Sequence, residues 1–160
     1  MKDPLQTYLH DHLAGATFAI EMLEALRDLH PAEPVGELAA DILVEVEEDR
    51  TILQALATHV GDSGSVVKEV ASWIAEKASR LKLRRQAEGA LGTFETVEAL
   101  ALGIRGKESL WTALAVVAPD NPRLQGYDFA ALAARAREQF DRVERQRLSI
   151  ATSLFKPLVS

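Results

Sequence analysis

The stretch Ile42-Leu43-Val44-Glu45-Val46-Glu47-Glu48-Asp49-Arg50-Thr51-Ile52-Leu53 sets five charges between apolar flanks. Around it, Leu38, Ile42, Val46, Leu53, Leu56 and Val60 recur at three-, four- and seven-residue steps, the spacing of one face of an α-helix. Continuing that spacing through the charged run puts Asp49 in the middle of the apolar stripe, with Glu45 beside it. Glu47 and Glu48 point mostly away, and Arg50 lies on a flank. The reading is therefore a long helix, about Pro34 to Val60, that carries carboxylates on its buried face.

Outward from this helix the same periodicity continues. A first helix is expected from Pro4, with Asp3 as its cap, to about Leu29. Leu9, Ala16, Ala19, Leu23 and Leu26 lie on its stripe and His12 at the stripe's centre, while Glu21 lies nearly opposite. His30-Pro31-Ala32-Glu33-Pro34 ends that helix, because a residue before proline is pushed out of the helical region. After Gly61-Asp62-Ser63-Gly64 the spacing predicts a shorter helix, Val66 to about Arg85, as the crossover between two helical hairpins. Its tail, Lys77 to Arg85, holds five basic residues. A third long helix is expected from about Ala87 to Ala118, with Gly103 and Gly106 marking a kink or a close helix contact. A fourth follows from about Asp128 to Phe155, with Arg147 on its apolar face. Two long helices, a long connection and two more long helices is the layout of a ferritin-like four-helix bundle. The fold class expected is thus all-α: a ferritin-like four-helix bundle with an additional shorter helix in the crossover between helices 2 and 3, one domain over 1–160. A faint repeat agrees, since Gly15, Ile20, Glu21 and Leu23 match Gly92, Val97, Glu98 and Leu100 at a constant offset of 77.

Composition narrows the function classes. Over 160 residues, 48% are hydrophobic and 26% charged, which allows a sizeable core in a globular chain. There is no cysteine, which removes disulfides, thiolate metal sites and cysteine nucleophiles. No apolar run reaches the length of a membrane span and the N-terminus has no signal core, so a cytoplasmic protein is expected. The net charge of −6 is unevenly spread: residues 1–60 hold three Lys or Arg against twelve Asp or Glu, and residues 61–160 hold fifteen against twelve. The two halves attract each other weakly when packed, and nucleic-acid binding is not suggested. The basic tail reads as a helix face docking on the acidic second helix. A homodimer is the expected partnership.

Ferritin-like di-metal sites take one glutamate from each of two helices and a Glu-x-x-His pair from each of the other two. The corresponding places here are Glu21, Glu98, Glu47-x-x-Arg50 and Glu144-x-x-Arg147. Arginine stands where both histidines would be, and a guanidinium has no lone pair for a metal. No standard di-iron site is expected. Two readings of the inward polar residues stay open. In the first, His12, Glu45, Asp49 and Arg147 form a salt-bridged polar core and no cofactor is bound. In the second, His12, Glu45, Asp49 and Glu98 bind iron, manganese or zinc at a non-standard site, as in a metal-dependent oxidoreductase or a metal store. Glu108 also faces inward. No catalytic residue is assigned: there is no nucleophile elbow and no phosphate-binding glycine loop.

Tyr8-Leu9-His10-Asp11-His12-Leu13-Ala14-Gly15, Glu47-Glu48-Asp49-Arg50, Leu81-Lys82-Leu83, and Leu102-Gly103-Ile104-Arg105-Gly106-Lys107 with Leu110-Trp111 carry a resemblance that spans most of the chain. Together with Arg137 to Arg147 they resemble an uncharacterised family of bacterial helical proteins within the ferritin-like superfamily. The resemblance implies a helical bundle of a kind that often binds metal. It brings no activity with it, and both Glu-x-x-His positions depart from the superfamily's metal pattern. A structural or interaction module is the expected function.

Overall fold

A computed structural model describes residues 3–61 and 87–157. Its long elements are α1 (Pro4–Leu29), α2 (Pro34–Val60), α3 (Gly89–Val117) and α4 (Phe129–Leu154), and no strand occurs among the described residues. Two single-turn 3-10 helices, Ala118–Asp120 and Pro122–Leu124, join α3 to α4. The all-α class and the four long helices stand as expected. The crossover helix expected at Val66 to Arg85, and the basic tail within it, lie outside the described residues.

Each helix starts and stops for a local reason. Asp3 caps α1 by accepting a hydrogen bond from the Leu5 amide at 3.0 Å, with Pro4 in the first turn, where its missing N–H costs nothing. Asp3 is also ion-paired with Arg123 of the α3–α4 connection, which ties the two hairpins at one end. Asp128 caps α4 through the Ala131 amide at 2.9 Å. The α1–α2 turn is tight, with Ala32 at φ 60°. No described helix is long and apolar enough to cross a membrane.

The helices pack as two hairpins, α1 with α2 and α3 with α4, laid so that α1 also meets α3 and α2 meets α4. Their order through the core fixes direction. Leu23 and Leu26 late in α1, Ala39 and Ile42 early in α2, Val97 and Leu100 early in α3, and Val143 in α4 share one apolar cluster. Leu9 and Leu13 early in α1, Leu53 and Leu56 late in α2, Leu110 and Trp111 late in α3, and Phe129 and Ala136 early in α4 share a second. Thus α1 and α4 run one way, α2 and α3 the other, and α2 ends at the opposite end from where α3 begins. Burial of each such Leu contributes about 1.5–3 kcal/mol. Trp111 is fully buried and stacks on Phe129, ring centroids 6.1 Å apart, so it anchors the second cluster.

Of the kink or close helix contact expected near Gly103 and Gly106, the close contact needs correction. α3 runs through both without interruption, and a β-carbon at either would meet nothing within 4 Å. No close contact among the described helices demands glycine there. The close approach is elsewhere, at Gly36 in the first turns of α2, where an added β-carbon would stand 2.0 Å from the His30 carbonyl oxygen.

Candidate functional site

Between the two apolar clusters lies a polar layer. Asp49 falls between Val46 of one cluster and Leu53 of the other, Lys107 between Ile104 and Leu110, and Gln139 between Ala136 and Val143. Three- and four-residue steps hold all of them on the inward faces of α2, α3 and α4. Asp49 and Gln139 are buried, at 3% and 0% exposure.

The layer is closed by hydrogen bonds. The Lys107 ammonium donates to Asp49 Oδ2 at 2.5 Å and also to Gln139 Oε1. Gln139 Nε2 donates to Glu45 Oε2 at 3.0 Å and to Asp49 Oδ2 at 3.2 Å. Arg142 Nη1 donates to Glu45 Oε1 at 2.5 Å. Arg135 reaches over from α4 to Glu48 at 2.6 Å, with its Nε 3.6 Å from Asp49 Oδ1. Burial pushes the Lys107 pKa below the ordinary lysine value, and the Asp49 charge offsets this only in part. At Glu45, burial acts to raise the carboxyl pKa, but hydrogen bonds from Arg142 and Gln139 outweigh it and hold the group below its usual value.

Of the residues singled out from the sequence, Asp49 and Glu45 belong to this layer, and their cations are Lys107, Arg135 and Arg142. Arg147 does not join it. It sits one level further along α4, bidentate on Glu144 at 2.7 Å and bonded to Glu98 at 2.9 Å, which raises its pKa, chiefly through the Glu144 hydrogen bonds. Glu98 is consequently separate from Asp49 and Glu45. Glu108 is buried but turned to the rim, held by Arg105 at 2.6 Å and Arg137 at 2.8 Å. Lys107 and Gln139 were not singled out. Their signal was present, because each stands three or four residues from inward neighbours on both sides, but a lysine or glutamine at such a place ordinarily turns to solvent.

His12 lies on α1, half-buried, with its ring edge-on to Tyr8 at 4.7 Å. Burial lowers its pKa, with Asp11 opposing. The unfolded chain therefore takes up the proton near pH about 6.5, and the folded chain only at lower pH. Stability is full above that value and is lost as pH falls through the window below it. His12→Phe is expected to flatten this dependence: between pH about 7 and 5 the urea midpoint of the parent falls further than that of the variant. Equal falls would show that His12 is not held neutral.

The donor set does not fit a metal centre. Asp49, Glu45, Glu98 and Glu108 each already carry a lysine or arginine, both arginines of the Glu-x-x-Arg pairs lack a lone pair, and no group of three or more His, Asp or Glu able to hold an ion occurs among the described residues.

On α1, the level of the polar layer is occupied by Gly15 and Ala16. These small residues leave a cavity of about 80 Å³ between α1, α2 and α3. His12 and Ala16 line it from α1, Asp49 and Arg50 from α2, and Lys107 and Trp111 from α3.

No protein-family model matches the chain, and comparison with curated proteins and with solved structures finds no similar one.

Proposed function

We propose that the chain is a ferritin-like bundle whose inward polar residues are ion-paired and hold no di-metal centre, and that it serves as a structural or interaction module. The observation that carries this reading is the Asp49–Lys107–Gln139–Glu45–Arg142 network between the two apolar clusters; one level further along, at places that match that architecture's ligands, Arg147 is ion-paired with Glu98 and Glu144. Helix direction supports the ferritin-like assignment. α1 and α4 run against α2 and α3, and α2 ends where α3 does not begin, as a single long crossover requires. A buried ion pair specifies which faces meet more than it adds net stability.

The test is metal loading. After incubation with Fe(II) or Zn(II) and removal of free ion, elemental analysis is expected to find only substoichiometric metal. One or two ions per chain, lost in Asp49→Ala, would overturn the reading and establish the His12, Glu45, Asp49 and Glu98 alternative.

A further inference from the structure

The cavity beside the polar layer is not accounted for by that layer's own hydrogen bonds. Trp111 Nε1 and Arg50 Nε, both on residues that line it, are buried donors with no hydrogen-bond partner among the described residues. A buried donor without an acceptor is costly, and such groups in folded proteins call for an explanation. Asp49 Oδ1 is also without a hydrogen bond, but its charge is met by Arg135 at 3.6 Å and by Lys107 on the other oxygen. Charge points the same way. Asp49, Glu45 and Glu48 each have a cation, whereas Arg50 forms no ion pair among the described residues. The residues lining the cavity thus carry one cation without an ion pair and two donors in need of an acceptor, beside the Asp49 Oδ1 acceptor. The rest of the wall is mainly apolar, with Ala16, Val46, Leu53 and Ile104.

We propose that this cavity binds a small aliphatic carboxylate, its oxygens accepting from the Arg50 guanidinium and the Trp111 indole N–H and its alkyl chain lying against Ala16, Leu53 and Ile104. A guanidinium matches a carboxylate in both charge and geometry. An apolar pocket with a few convergent polar groups is the usual form of a small-molecule site. Size limits the chain. An apolar cavity of ~150 Å³ admits benzene, so one of about 80 Å³ suits a body of two to four carbons. A neutral hydrocarbon would leave both donors unsatisfied, and a doubly charged anion would find a single unmatched cation.

The experiment follows the Trp111 indole N–H by NMR in ¹⁵N-labelled Trp73→Phe protein, with the parent titrated in parallel. Sodium acetate, propionate and butyrate are compared with propionamide and with sodium chloride at matched ionic strength. Propionate or butyrate is expected to move the Trp111 signal saturably, with a dissociation constant of about 1 mM or tighter, and propionamide and chloride are not. Arg50→Gln, checked by its melting temperature to be folded, is expected to weaken binding at least about tenfold. The proposal is overturned by the absence of a saturable shift with every carboxylate, by equal binding of propionamide, or by undiminished affinity in Arg50→Gln.

Discussion

Lys107→Met is expected to lower the free energy of unfolding by about 3–5 kcal/mol, the loss that follows when one partner of a buried ion pair is removed and the other charge is left behind. Lys107 has 15% of its side chain exposed and Asp49 3%, so little solvent reaches the carboxylate, and Arg135, 3.6 Å from its Oδ1 with no hydrogen bond to it, is the cation left beside it. Gln139 loses the donor to its Oε1 in the same step. Urea unfolding of the variant should show a midpoint far below the parent's with a similar slope. The second change Asp49→Asn should restore much of the loss, because an amide leaves no unpaired charge and can still bond Gln139. Arg147→Ala provides the contrast. Its partners Glu98 and Glu144 are 47% and 27% exposed, so water can solvate them once the guanidinium is gone, and the loss should be clearly smaller. A Lys107→Met protein as stable as the parent would remove the polar layer from the account of this fold.

Gly36→Ala is expected to cost about 2–3 kcal/mol or more. The added β-carbon would lie 2.0 Å from the His30 carbonyl oxygen and 2.8 Å from its carbon. Both are backbone atoms, so no side-chain rotation relieves the overlap. The α1–α2 turn would have to open and carry Val35 and Ala39 out of their cluster. The same substitution at Gly106, where a β-carbon meets nothing within 4 Å, should instead stabilise by about 0.5–1 kcal/mol, through lower backbone entropy in the unfolded chain. Thermal melts of the two variants test the pair: opposite signs are expected, and equal effects would contradict the close packing at His30.

Helix positions were legible in advance because their causes are local. Asp3-Pro4, His30-Pro31, Glu33-Pro34 and Asp128 mark ends that α1, α2 and α4 observe. Apolar periodicity likewise placed Asp49 on the buried face of α2, where it is found. Partner choice was less legible. Arg147 shares the inward face of α4 with Gln139 and Val143, and nothing in its spacing tells which level of the neighbouring helices it meets. Lys107 is ambiguous in the sequence, because its long stem allows a surface position equally well. The glycines misled in the same way. Gly36 and Gly106 look alike in sequence, and only the position of His30 separates them.

By itself the sequence determined four long helices, their boundaries and the burial of a carboxylate in the second, since these depend on capping, proline and the 3.6-residue repeat within each segment. Tertiary structure alone decided that Lys107 rather than Arg147 answers Asp49, and that Gly15 and Ala16 leave a cavity beside it. Both outcomes depend on the relative height of residues on different helices, and that register is set by how the two apolar clusters interlock rather than by any one segment.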